Sequence, residues 1–275
     1  MKFSVLMSVY KNDSPKYFNQ AVASILNQSL MPNEIILVRD GIVGRELNDT
    51  IQSFINNGII KVKYVELENN VGLGLALSIG MKHVSYDYIA RMDSDDISNY
   101  LRFETQIKYL IEHPDISVLG SYITEFDSKS GRRHIKKVPI NISAIRSYAK
   151  YRNPVNHVSV IFRKLDVIDS GGYESVISYE DYYLWLKMIF LGKKIKNIPV
   201  SLVDVRAGSD MITRRRGWFM LKNDLNFFCK AYKKRYISLQ MYMINIFIRF
   251  LVRMAPPKFT SFFYQLIRGY RSDRR

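Results

Sequence analysis

Apolar residues follow two rhythms along the first 120 residues, and the rhythms alternate. Short continuous runs at Phe3–Val9, Glu34–Val38, Ile60–Val65, Tyr88–Met92 and Ile116–Tyr122 predict buried strands. Between them apolar residues return every three or four positions. Phe18, Ala21, Val22, Ile25 and Leu26 predict a helix over Pro15–Asn27. The same spacing predicts helices over Glu46–Asn57, stopped at Asn57-Gly58, over Leu73–Val84, and over Leu101–Glu112, ended by His113-Pro114. Strands alternating with helices argue for an α/β fold, an open and mostly parallel sheet flanked by helices.

Such sheets bind ligands at the carboxyl ends of their strands. The polar clusters fall there: Tyr10–Asp13, Arg39-Asp40-Gly41, Asn69–Gly74 and Asp93–Asp96. Four polar strand exits on one edge point to a site more strongly than any one of them.

Beyond about residue 125 the pattern is mixed. Ser128–Val138 is basic and polar, Val158–Phe162 predicts a short strand, and 205–217 reads as a basic loop. Ile177–Leu191 predicts a helix, opened by Tyr179-Glu180-Asp181 and closed by Gly192. Residues 218–271 read as helical and rich in aromatic and basic side chains. This divides the chain into an α/β part, 1–205, and a basic helical part, 206–275.

Composition narrows the class. A chain of 275 residues, 47% hydrophobic, can bury one large core or a core with an appendage. One cysteine, Cys229, leaves no internal disulfide and no cysteine-based zinc site, and suits a reducing compartment. The start reads as a first strand, not a signal peptide. The net charge of +16 is unevenly spread: −5 over residues 1–128 and +21 over 129–275. Such asymmetry suits an anionic partner, nucleic acid or anionic lipid. Tyr236–Met254 is the most apolar stretch, interrupted by Gln240, Asn245, Arg249 and Arg253. It reads as a helix lying on a membrane surface. A helix packed on its own domain or a partner, and a true span, are the alternatives.

The chemistry concentrates in Asp93-Ser94-Asp95-Asp96. Asp93 and Asp95 at a strand mouth can share a hard divalent cation, Mg2+ or Mn2+, which often brings phosphate with it. The alternative is that Asp95-Asp96 caps a helix beginning near Ser98. Asp40 is placed to accept hydrogen bonds from a nucleobase or ribose, or to form an Asp-Gly turn. Asn70-Val71-Gly72-Leu73-Gly74 puts flexible backbone before a helix N-terminus, which suits a phosphate or ribose.

These residues together resemble the family 2, GT-A-fold glycosyltransferases. The ordered segments are Ser8-Val9-Tyr10-Lys11, Val38-Arg39-Asp40-Gly41, Asn70-Val71-Gly72-Leu73, Asp93-Ser94-Asp95-Asp96 and Glu180-Asp181-Tyr182-Tyr183-Leu184-Trp185. Arg152-Asn153-Pro154 with Asn156-His157, and Gly171-Gly172-Tyr173, look like the bacterial O-antigen and capsule members. The resemblance covers roughly residues 3–205; each motif is weak singly, and the ordered set is specific. Arg39 stands where an acidic residue is commoner.

The resemblance implies a GT-A, Rossmann-like fold, a nucleotide-sugar-binding and catalytic part over 1–205 whose acceptor side is about 125–205, and a set of roles. Val9, Tyr10 and Asp40 would hold uridine, with Gly72 near the nucleotide. Asp93 and Asp95 would hold ribose and the metal, Asp95 as the direct ligand. Arg91 and the Arg214-Arg215-Arg216 run would add positive charge to the diphosphate, the run being equally readable as a solvated or lipid-facing patch. Asp181 would be the general base of an inverting transfer, with Glu180 beside it. His157 reads equally as a site-edge or core residue, and Leu184 and Trp185 read as core. The implied reaction moves a hexose, glucose or galactose favoured, from a UDP-sugar to a sugar on undecaprenyl diphosphate. Its setting would be O-antigen or capsule repeat-unit assembly on the inner face of the bacterial cell membrane. A nucleic-acid module is disfavoured, because no recognition signature is present and the acidic strand exits would go unexplained. A silent sugar-nucleotide-binding partner and a nucleotidyltransferase are the remaining rivals.

Overall fold

The computed structural model describes residues 1–128, 130–207 and 217–254. The chain divides into two compact units: residues 1–126 with 133–206, and residues 127–132 with 207–275.

The first unit is built on a nine-stranded sheet. Its strands are β1 (Phe3–Tyr10), β2 (Glu34–Asp40), β3 (Val62–Glu66), β4 (Tyr88–Asp93), β5 (Ile97–Ser98), β6 (Val118–Phe126), β7 (Arg133–Lys136), β8 (Ile161–Arg163) and β9 (Ile195–Arg206). The spatial order is β3-β2-β1-β4-β8-β6-β9-β5, with β7 paired to β6. Strands β3, β2, β1 and β4 run parallel. From β4 onward the sheet is mixed: β8 is antiparallel to β4 and β6, β9 is parallel to β6, and β5 is antiparallel to β9.

The helices of this unit are α1 (Pro15–Leu26), α2 (Arg45–Asn56), α3 (Leu73–Met81), α4 (Arg102–Glu112), α5 (Ile142–Tyr148), α6 (Lys164–Asp169) and α7 (Glu180–Phe190). They explain why the strands read as continuous apolar runs: both faces of the sheet are covered. Val5, Met7 and Val9 of β1 pack with Phe18 of α1, Ile51 of α2 and Phe103 of α4. Leu6 of the same strand points the other way, into a core with Ile36, Leu77 of α3 and Leu184 and Trp185 of α7. Period-two alternation along one strand thus feeds two cores.

The link from β4 to β5 shapes the sheet. Asp93 and Ile97 are four residues apart and can separate by at most about 14 Å. Four inter-strand spacings, which is the distance from β4 to β5 in the sheet order, amount to about 19 Å. The sheet therefore curls, bringing its β9–β5 edge back toward the end of β4. Ile97 and Ser98 pair with Asp204 and Val203 of β9, so the chain after Asp96 is strand, and the helix that follows starts only at Arg102. Asp95 and Asp96 are not the N-cap of a helix near Ser98.

In the second unit the described residues form two helices, α8 (Gly217–Lys233) and α9 (Leu239–Met254). Tyr232 and Tyr242 stack with ring centroids 5.5 Å apart, and Arg253 pairs with Asp224 at 2.7 Å. Among the described residues no helix is long and apolar enough to cross a membrane.

Candidate active site

The parallel register sets the site's donor edge. Tyr10 lies beside Asp40, and Ser8 beside Asp93, at the carboxyl ends of β1, β2 and β4. Val9 is buried in the core, while Tyr10 is 39% exposed, so Tyr10 presents its ring to solvent. Asp40 is buried, and both its oxygens are engaged by the loop after β3. Val71 N–H donates to Oδ1 at 2.7 Å, and Gly72 N–H and Asn70 Nδ2 donate to Oδ2 at 3.0 Å each. In this structure Asp40 therefore shapes the glycine loop. Gly72 has φ of +87°, a backbone region that L side chains rarely adopt. Arg39 is neutralised locally by Glu66, 2.8 Å away.

The acidic turn follows β4. One carboxylate oxygen each from Asp93, Asp95 and Asp96 lies within 4.8 Å of the others. Burial, helped by the neighbouring charges of Asp93 and Asp13, pushes the Asp95 carboxyl up to about 6. Burial and the charges of Asp93 and Asp95 push Asp96 up as well. Asp13 completes the negative patch. Its Oδ2 accepts from Ser94 Oγ at 2.7 Å and from Tyr10 N–H at 3.0 Å, and burial raises its pKa. Asp93, Asp95 and Asp96 thus lie together with Asp13 beside them, and burial raises three of these four carboxyls. That donor set fits a hard divalent cation.

Positive groups brace the turn from behind. Arg91 is 2% exposed and ion-pairs with Asp93 through Nη2, while its Nε and Nη1 are buried without a partner. It stands behind the acidic edge. Arg102 of α4, fully buried, donates to the Arg91 carbonyl at 2.7 Å and to Ser98 Oγ at 2.9 Å, which clamps both ends of the turn. Burial pulls its pKa down to about 9. Arg206 at the end of β9 donates its N–H to Asp96 Oδ1 at 2.8 Å and its Nε to the Asp95 carbonyl at 3.1 Å.

The opposite wall is the start of α7. Asp181 Oδ2 accepts from Asn153 Nδ2 at 2.6 Å, and Oδ1 from the Tyr182 N–H at 2.7 Å. Burial raises the Asp181 pKa, and these two hydrogen bonds with the charges of Arg91 and Lys136 oppose the rise. Burial and the adjacent Asp181 push Glu180 up to about 7. The α3 and α7 N-termini meet here. A Cβ on Gly74 would lie 2.9 Å from Glu180 Cβ and 3.0 Å from the Glu174 carbonyl. Glycine thus lets two positive helix ends converge on one site. Ser178, just before α7, has φ of +68°.

The structure therefore brings Asp93, Asp95, Arg91, Glu180 and Asp181 into one electrostatic neighbourhood: Arg91 pairs with Asp93 and acts on Asp95, Glu180 and Asp181, while Tyr10 joins the acidic patch through Asp13. Arg214 and Arg215, with Arg216, lie outside the described residues. His157 Nε2 meets Tyr173 Oη at 2.8 Å, and desolvation holds its pKa well below the usual imidazole range. Leu184 and Trp185 are core residues, as expected. Asp13, Arg102, Asn153 and Arg206 escaped the sequence reading. Asp13 lay inside a polar strand exit already noted, and Asn153 in the Arg152-Asn153-Pro154 segment. Arg102 and Arg206 carry no local signal.

The family model for glycosyl transferase family 2 matches residues 4–169. The amylovoran biosynthesis glycosyltransferase AmsE of Erwinia amylovora is 36% identical over 263 residues, 96% of this chain and 98% of that one. The UDP-Gal:alpha-D-GlcNAc-diphosphoundecaprenol beta-1,3-galactosyltransferase of Escherichia coli is 38% identical over 267 residues, 97% of this chain and 96% of that one. Among solved structures, the mannosyltransferase PcManGT from Pyrobaculum calidifontis, in complex with GDP-Man and Mn2+, superposes with a TM-score of 0.65 at 13% identity. That alignment covers 94% of this chain and 72% of the other, and the likeness is one of fold.

Proposed function

Because this chain belongs to glycosyl transferase family 2, with relatives in bacterial polysaccharide synthesis, we propose that it transfers a hexose from a UDP-sugar to a sugar on undecaprenyl diphosphate. Glucose and galactose are the favoured hexoses, and the galactosyltransferase relative supports the donor and the lipid-linked acceptor. A membrane-held acceptor puts the chain at the inner face of the cell membrane. The observation that carries the reading is a turn of three grouped carboxylates under the field of the same Arg91 that acts on Asp181, a carboxylate tethered by Asn153.

Asp93 and Asp95 would hold Mn2+ or Mg2+, which supplies positive charge to a diphosphate leaving group. Tyr10 would flank the nucleoside, and Asp40 would keep the glycine loop shaped for it. Asp181 takes the proton of the acceptor hydroxyl. The acceptor oxygen then bonds to the anomeric carbon as the bond from that carbon to the diphosphate oxygen breaks, and UDP leaves. Attack from the face opposite the leaving group inverts the anomeric centre. Glu180, near half-protonation at neutral pH, can donate or accept a hydrogen bond to a sugar hydroxyl.

Calorimetric titration of UDP, with Mn2+ and then with EDTA, tests this on wild type and Asp95→Ala. The reading expects binding that needs both the metal and Asp95. Equal affinity with EDTA, or in Asp95→Ala, would remove the acidic turn from the nucleotide site.

A further inference from the structure

Lys187 sits on the buried side of α7 and is only 4% exposed. Taking an ammonium out of water is costly, and an apolar side chain often fills such a place with no loss of stability. What the charge adds is direction. Its Nζ donates to the Gly172 carbonyl at 2.7 Å and to Glu174 Oε1 at 2.8 Å. It also lies 5.5 Å from the centre of the Tyr183 ring, and a Cβ on Gly171 would come within 3.4 Å of it. One ammonium thus ties the loop before α7 to the body of that helix.

The loop carries the chain from α6 into α7, and its backbone is unusual. Gly171, Gly172 and Ser178 have φ of +84°, +62° and +68°. A left-handed serine is strained and persists only where its surroundings impose it. Just beyond it α7 opens with Glu180 and Asp181. Lys187 stands about two turns past Glu180, on the same side of the helix. The loop also touches the donor side. The Glu174 carbonyl and Glu180 Cβ lie 3.0 and 2.9 Å from where a Cβ on Gly74 would stand, near the start of α3. The contact from Lys187 back to Glu174 closes a ring in the chain that contains Glu180 and Asp181. We propose that Lys187 is a positioning residue for the transfer: it pins the Gly172–Glu174 turn against α7 and so holds the Asp181 carboxylate on Asn153, facing the acceptor hydroxyl. The inference rests on the reading of Asp181 as the base.

Lys187→Met keeps the length of the side chain and removes its charge. The expected result is a fall in kcat of up to about a hundredfold, with metal-dependent UDP affinity and the KM for the UDP-sugar unchanged. The acidic limb of kcat/KM should move to higher pH, because a loosened Asn153 no longer holds the Asp181 pKa down. Added to Asn153→Ala, where that bond is already gone, Lys187→Met should move the limb no further. Glu174→Gln changes a half-buried side chain and keeps an acceptor for the ammonium. It should give the same shift in smaller measure, and it serves where Lys187→Met does not fold. Hydrogen exchange of the full chain reads the pin apart from transfer. Amides of 173–182 should exchange faster in Lys187→Met, while those of β1 and β4 keep the wild-type rate. Unchanged exchange over 173–182 would overturn the proposal, and so would kcat and UDP affinity falling together with the pH limb unmoved. Should Asp181→Asn retain transfer, the base reading fails on its own, whereas the pin stands or falls with the exchange of 173–182.

Discussion

Asp181 has to be ionised to take a proton, yet its surroundings are dry. Burial favours the neutral acid and leaves the pKa raised, while Asn153 Nδ2, the Tyr182 N–H and the field of Arg91 oppose that rise. Two expectations follow at this scale. Asp181→Asn should keep metal-dependent UDP binding and lose transfer by about a thousandfold, measured by product chromatography beside calorimetry. Transfer at the wild-type rate would end its role as base. Asn153→Ala removes a bond that lowers the Asp181 pKa, so the pKa should rise and the acidic limb of kcat/KM should move to higher pH. A merely structural loss would scale the whole profile without moving that limb. The carboxylate pair opening an amphipathic helix was legible in the sequence, and the resemblance proposed Asp181 of that pair as the base. Its tether was not, because Asn153 is 28 residues away and only the fold brings the amide to the carboxylate.

Elements were legible where they were long and covered on both faces. The runs that became β1, β2 and β4 and the α1 stripe kept nearly the boundaries that their rhythm gives. After β4 the reading was less complete, for physical reasons. Strands β5 and β7 have two and four residues, too few to show a period, and only the end of the predicted Val158–Phe162 strand became the three-residue β8. Strand β9 carries Pro199 at a register shift, where Ser121 pairs with Ile198 and Tyr122 already with Ser201. A proline at a bulge reads in sequence as a break. The glycine motif gave a different surprise. Gly72 precedes α3 and donates its N–H to Asp40, but Gly74 is there for packing, where α3 meets α7. Gly74→Ala should therefore wedge α3 from α7, destabilise the fold by about 1–3 kcal/mol in urea denaturation, and lower kcat through Glu180. Unchanged stability together with unchanged kcat would show that the two helices are not mechanically joined.

At the scale of the molecule, the acidic residues 1–128 supply the carboxylate turn, and the basic residues 129–275 supply Asn153, Glu180, Asp181 and Arg206, so the −5 and +21 halves meet at the candidate site. Concentrated carboxylates carry a pH signature. Glu180 is raised in the fold to about 7, so the folded state holds its proton more tightly than the unfolded chain does. Its stabilising share is present in full below about pH 4 and is lost as pH rises through about 7. The melting temperature of Glu180→Gln minus that of wild type, both metal-free, should increase from about pH 5 to about pH 8. A difference that stays flat would place Glu180 in contact with water. The curl of the sheet has a last consequence, for tolerance of substitution. The seam that closes over the acidic turn is written largely in backbone: β5 pairs with β9, and the Arg206 N–H holds Asp96. A seam of that kind accepts different side chains. A substitution in β5 or β9 that keeps this pairing should thus leave the turn closed, whichever side chain it brings.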